Sequence, residues 1–250
     1  MISTQFLRRV SLKRDQVPDF ESYPFNLPVV RLLDALELHP KVTFLIGENG
    51  SGKSTLLEAI AVSLGFNPEG GTKNFRFGTR ESHSTLHSFL RLARGVSRPK
   101  DGFFLRAESF FNVATEIERL DAEPAPAPPV INSYGGASLH EQSHGEAFLA
   151  LMMNRFGGNG LYLLDEPEAA LSPQRQLAVL ARLHQLAESG SQFLIATHSP
   201  ILMAYPDATI YSCSKHGLEP IDYHDTEHFQ VTRNFLANPS RMLRELFGGE

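Results

Sequence analysis

Residues 47–54 read GENGSGKS, directly after the apolar run Val42-Thr43-Phe44-Leu45-Ile46 and directly before TLLEAIAVSL. The octapeptide satisfies G-x-x-x-x-G-K-[ST] in full, at Gly47, Gly52, Lys53 and Ser54. Its glycines allow successive backbone N–H groups to turn inward around phosphate oxygens. Glu48, Asn49, Gly50 and Ser51 complete that turn, and Thr55 begins the segment behind it. Lys53 is placed to reach the outer phosphates of a nucleotide, and the Ser54 hydroxyl to bind Mg²⁺. Leu56, Leu57, Ile60, Ala61 and Leu64 recur at helical spacing and Gly65 follows as a C-cap, so a helix should aim its N-terminus at the same anion.

A second apolar run, LYLLD, ends at Asp165 and continues as Glu166-Pro167-Glu168. A short, continuously apolar run is the mark of a strand buried on both faces of a parallel sheet. Asp165, at its end, is suited to holding Mg²⁺, and Glu166 to polarising an attacking water. A third run, FLIAT, leads into Thr197-His198-Ser199-Pro200. Pro173–Glu188 reads as an amphipathic helix with proline in its first turn, and Asn238-Pro239 as the cap of a last helix, SRMLRELF. Leu32 to Leu38 is expected to form a short helix. Strands alternating with helices predict a doubly wound α/β core with a mainly parallel sheet and an N-terminal β segment.

Further motifs fall between and after these. Gln142-Ser143-His144-Gly145-Glu146 precedes Asp165 by about a helix and a turn, and Ala169-Ala170-Leu171-Ser172 follows the acidic pair. In this order the chain resembles the ABC-type P-loop ATPases over nearly its whole length. The resemblance implies ATP and Mg²⁺ as ligands, with Lys53, Glu166 and His198 as the catalytic group, His198 meeting the γ-phosphate. It further implies that Ser143 and Gly145 are the signature serine and second glycine. In a head-to-tail, ATP-dependent homodimer they would cap nucleotide held by the other copy. The chain departs from the family pattern at His144, at Glu146 and at Ser172, where a D-loop aspartate is usual. No glutamine fills the glutamine-loop position, and Glu108, after the strand GFFLRA, is the substitute expected there as a metal-side ligand. Tyr23 and Phe25 are the candidates for stacking on adenine.

The variants DEPEAALSP and ATHSP look like the soluble, non-transporting branch, related to overcoming-lysogenization-defect and chromosome-maintenance ATPases. The expected function is therefore a nucleotide-driven dimerisation switch with an effector protein in DNA repair or phage defence. The alternative is the nucleotide-binding subunit of an ABC transporter.

The 250 residues, 42% hydrophobic and 20% charged, suffice for one ABC-type domain, with an inserted, mostly helical lobe over 66–157 carrying the signature. The net charge of −5 argues against a globally basic coat for nucleic acid. Against that background residues 65–100 are basic, with Lys73, Arg76, Arg80, Arg91, Arg94, Arg98 and Lys100. They form either a solvated face or a track for a nucleic-acid backbone. EPAPAPPV lies in a proline-rich loop, 121–130. One cysteine, Cys213, excludes an internal disulfide. A charged N-terminus and the lack of a long apolar run predict no membrane insertion and a cytoplasmic location. The C-terminal stretch from His224 is expected to be either a docking surface or, as the favoured reading, a pair of helices closing the fold.

Overall fold

The computed structural model describes residues 5–73, 84–123 and 128–248. In chain order the elements are β1 (Leu7–Leu12), α1 (Pro28–Arg31), β2 (Leu36–Glu37), β3 (Val42–Ile46), α2 (Lys53–Ser63), β4 (Leu90–Arg94) and β5 (Asp101–Arg106). There follow α3 (Phe110–Ala122), α4 (His144–Ala150), β6 (Gly160–Asp165), α5 (Pro173–Glu188) and β7 (Gln192–Ala196). The chain ends with α6 (Pro200–Met203), β8 (Ala208–Ser214), β9 (Gly217–Pro220), α7 (Glu227–Ala237) and α8 (Pro239–Phe247).

The central sheet runs β5-β6-β7-β3-β8-β9, parallel except for the hairpin strand β9. Successive side chains on a strand face opposite ways, and here the alternation divides the core in two. Phe44, Tyr162, Leu164, Phe193 and Ile195 face the side covered by α3, α4 and α5. Leu45, Leu161, Leu163 and Leu194 face the side covered by α2 and a second, antiparallel sheet, β2-β1-β4. Gln192, buried at the start of β7, joins the two sheets. Its side chain accepts from the N–H groups of Phe6 and Leu7 and donates to the carbonyls of Leu7 and His39.

Three expectations change. The helix expected over 32–38 is displaced: Pro28 starts α1 four residues earlier, and Leu36 and Glu37 pair with β1 as β2. Within 66–157, β4 and β5 are strands of the two sheets, and the long helix of that span starts only at Phe110. Arg91, Arg94, Arg98 and Lys100 are exposed on and just after β4, an edge strand of the small sheet, while Arg76 and Arg80 fall outside the described residues. The C-terminal pair α7–α8 closes no core. No residue of either helix is buried, and Leu236, Leu246 and Phe247 are exposed. Among the described residues no helix is long and apolar enough to cross a membrane.

Candidate functional site

The three catalytic segments meet because β3, β7 and β6 are neighbours, so their C-terminal ends open on one edge of the sheet. The loop after β3 turns at Gly47, with φ +142°, where a Cβ would lie 2.3 Å from the Cys213 carbonyl oxygen. It turns again at Gly52, φ +93°, where a Cβ would lie 2.5 Å from Val29. Both positions exclude a side chain, for conformational and for steric reasons together. Gly52 caps α2, and the helix N-terminus faces the loop's interior.

Lys53 is buried, and its Nζ donates to the carbonyls of Gly47 at 2.7 Å and Glu48 at 2.9 Å. Burial depresses its pKa, and the neighbouring carboxylates counter this. The Ser54 hydroxyl donates to Asp165 Oδ1 at 2.9 Å, across the end of β7. Asp165 is held up at about 6, chiefly by burial, with Arg106 pulling the other way. A hydroxyl and one carboxylate are hard oxygen donors of the kind that, with phosphate oxygens and water, suit Mg²⁺. Among the described residues no cluster of three or more metal-ligating side chains offers a complete cage. The residues present therefore fit an ion that arrives with its nucleotide.

Glu166 adopts φ +51°, and one of its carboxylate oxygens lies 3.7 Å from His198 Nε2. That nitrogen is buried and without a hydrogen-bond partner. Burial and then Lys53 lower the His198 pKa, so the ring is neutral at physiological pH. Glu168 accepts the His198 backbone N–H at 2.5 Å and fixes the turn. Adjoining clefts of about 570, 460 and 280 Å³ surround the loop; together they are lined by residues 47–55, Glu166 and His198, with Ser212 to Lys215 on one side and α7 on another. Tyr23 is exposed at the mouth of the last of these, its hydroxyl 3.4 Å from Thr55 Oγ1, whereas Phe25 is core, edge-on to Phe89.

Glu108 is exposed beyond the end of β5 and approaches Arg106 at 3.6 Å; the same guanidinium pairs with Glu58 and lies 3.9 Å from Asp165. Ser143 and Gly145 line none of the three clefts. Ser143 caps α4 in a reciprocal capping box: its oxygen accepts the Glu146 N–H, and the Glu146 carboxylate accepts the Ser143 N–H at 3.0 Å and its hydroxyl at 2.6 Å. Glu146, departing from the family glutamine, thus closes the box and pairs with Arg175 at 3.1 Å. A Cβ on Gly145 would lie 2.5 Å from the Ala170 carbonyl, so the segment 143–146 packs on the loop that follows Glu166. Ser172 is the N-cap of α5, accepting from Arg175 N–H.

Arg106, Glu168 and His228 also belong to the site, and no motif in the sequence marks their roles. Glu168 stood within the quoted DEPE, but its task is a backbone contact to a turn 30 residues on. Arg106 and His228 join the site through pairings that no local pattern announces.

Two family models match the chain: "AAA domain" over residues 20–102, and "AAA domain, putative AbiEii toxin, Type IV TA system" over 137–204. The chain is 27% identical to "Putative ABC transporter ATP-binding protein TTE0246" of Caldanaerobacter subterraneus subsp. tengcongensis, over 80% of this chain and 88% of that one. It is 42% identical to DNA replication and repair protein RecF of Idiomarina loihiensis, but over 71 residues, 27% of this chain and 20% of that one. Its fold is similar to a structure described as "An inward-facing conformation of a putative metal-chelate type ABC transporter", with TM-score 0.51 at 17% identity, covering 91% of this chain and 88% of the other. With the lysine loop, the buried aspartate and the acid–histidine pair at one sheet edge, the chain is an ABC-type P-loop ATPase that hydrolyses ATP.

Proposed function

We propose that two copies of this chain close head to tail over ATP and that hydrolysis reopens them. Lys53 and the amides of residues 47–52 grip the phosphates. Ser54 and Asp165 would hold Mg²⁺, which when bound would neutralise phosphate charge. Glu166 orients a water and takes its proton as the water attacks the γ-phosphorus, giving ADP and phosphate. His198 donates to the γ-phosphate, and Ser143 and Gly145 of the second copy complete the enclosure. The observation carrying this reading is that Ser143 and Gly145 line none of the three described clefts around their own phosphate loop. A hydroxyl at a helix N-terminus is useful to phosphate only if another copy delivers it.

The test is Glu166→Gln with MgATP, followed by light scattering on a sizing column. A dimer that dissolves when ATP is withdrawn is expected, and a monomer under saturating ATP would sink the mechanism.

For the partner driven by this cycle, similarity to a transporter's ATP-binding protein along most of both chains favours a membrane permease. The repair or defence switch rests on the RecF stretch, the family model over 137–204, and the exposed arginines around β4. ATPase stimulation by DNA or RNA, lost on charge reversal at Arg91, Arg94 and Arg98, would decide for the switch. A complex with a membrane protein recovered only in detergent would decide for the transporter.

A further inference from the structure

The His198 ring has a partner from outside the sequence motifs described above. His228, on the first turn of α7, places its Nε2 3.2 Å from His198 Nδ1. The rings lie 5.3 Å apart at 52°, so the contact runs nitrogen to nitrogen and not face to face. His228 Nδ1, like His198 Nε2, is buried without a partner. Burial lowers the affinity of both rings for a second proton. Two neutral imidazoles sharing one hydrogen bond have one proton between them, which leaves two arrangements.

In the first, His198 donates from Nδ1, and its Nε2 presents a bare lone pair to the Glu166 carboxylate 3.7 Å away and to any phosphate in the cleft. Those are repulsive encounters. In the second, His228 donates from Nε2 to His198 Nδ1, and His198 carries its proton on Nε2, facing the carboxylate and the cleft. Electrostatics select the second. The same logic governs histidines elsewhere: the hydrogen bond at one ring nitrogen decides which proton the other offers.

We propose that His228 is a positioning residue that fixes His198 in the Nε2–H tautomer and so makes it a hydrogen-bond donor toward the terminal phosphate. The proposal rests on the reading of His198 as the γ-phosphate contact. Its mechanical corollary is that α7, which lines the cleft with Glu227, His228, Val231 and Thr232, is joined to His198 by one hydrogen bond among the described residues. A displacement of the helix would free the His198 ring without disturbing the phosphate loop.

The test uses His228→Leu and His228→Gln, the second carrying an amide N–H near the place of Nε2–H. Long-range ¹H–¹⁵N correlation on the nucleotide-free protein, with His198 assigned through His198→Ala, should find the proton on Nε2 in the parent and in His228→Gln. In His228→Leu the two tautomers should mix. In steady-state hydrolysis, His228→Leu should lower kcat about tenfold, the worth of one oriented hydrogen bond, with KM for ATP nearly unchanged. His228→Gln should recover most of the loss, and His198→Ala/His228→Leu should be no worse than His198→Ala alone. An Nδ1–H tautomer in the parent protein would overturn the proposal, as would equal damage from Leu and Gln. Full activity of His198→Ala would instead undo the role of His198 itself, which the tautomer measurement does not depend on.

Discussion

Asp165 illustrates what a buried carboxylate costs before its ligand arrives. Burial raises its pKa from the usual carboxylate range to about 6. The folded chain therefore holds this proton more tightly than the unfolded chain does. That contribution is fully present below about pH 4 and is lost as pH rises through 6, so at neutral pH the nucleotide-free protein bears the whole cost. Asp165→Asn, which keeps an oxygen to accept from Ser54, should raise the stability of nucleotide-free protein at pH 7.5 by up to roughly 3 kcal/mol. The gain should vanish near pH 4, and urea titrations at the two values measure both. The same variant should lose Mg²⁺-dependent hydrolysis. For Lys53→Ala the prediction is a binding defect: MgATP should raise the parent Tm by mass action and leave this variant's Tm where it was. Such residues were legible in advance because each task is written into a contiguous string. Glycines, a lysine and a hydroxyl must adjoin to wrap a phosphate, and an acid must end the strand that buries it. His228 and Arg106 were not legible, since their tasks exist only once α7 and β5 have been brought alongside.

At the scale of elements, α2, α5 and α8 were readable from apolar spacing together with caps, and β3, β6 and β7 from their apolar runs. Of the small sheet the N-terminal β segment was readable but its pairing was not, because β1 and β4 pair across 78 to 87 residues and Arg91 to Arg94 belong to a basic stretch. Nor did sequence announce Gln192, a polar side chain buried as a joint between sheets. Ser172 shows how one position serves a local purpose in place of the family's acid. As the N-cap of α5 it satisfies an otherwise unpaired N–H, so Ser172→Ala should cost about 1 kcal/mol in chemical denaturation. Ser172→Asp, another good cap, should restore it. Gly145→Ala is a sharper perturbation. Its methyl would meet the Ala170 carbonyl at 2.5 Å and Arg175 Nη1 at 2.8 Å, so the arginine can move but the backbone must shift. Hydrolysis should fall while nucleotide binding by the phosphate loop stays intact, a split that calorimetry beside a phosphate-release assay resolves.

The whole molecule is a sheet with two cores and an external arm. Because none of α8 is buried, deleting residues from Pro239 onward should leave the calorimetric melting profile and basal ATPase essentially unchanged. Extending the deletion back to Glu227 removes His228 as well and should lower kcat, again without much effect on Tm. A large loss of stability from the shorter deletion would mean that α8 supports the cores after all.

Glu166 stands in a left-handed backbone conformation, φ +51°, which side-chain-bearing residues adopt at a cost of roughly 1–2 kcal/mol and glycine adopts freely. The acid thus occupies a place the chain would sooner give to glycine. Glu166→Gly should melt later than the parent while hydrolysing nothing, and selection for durability alone would steadily erase the enzyme.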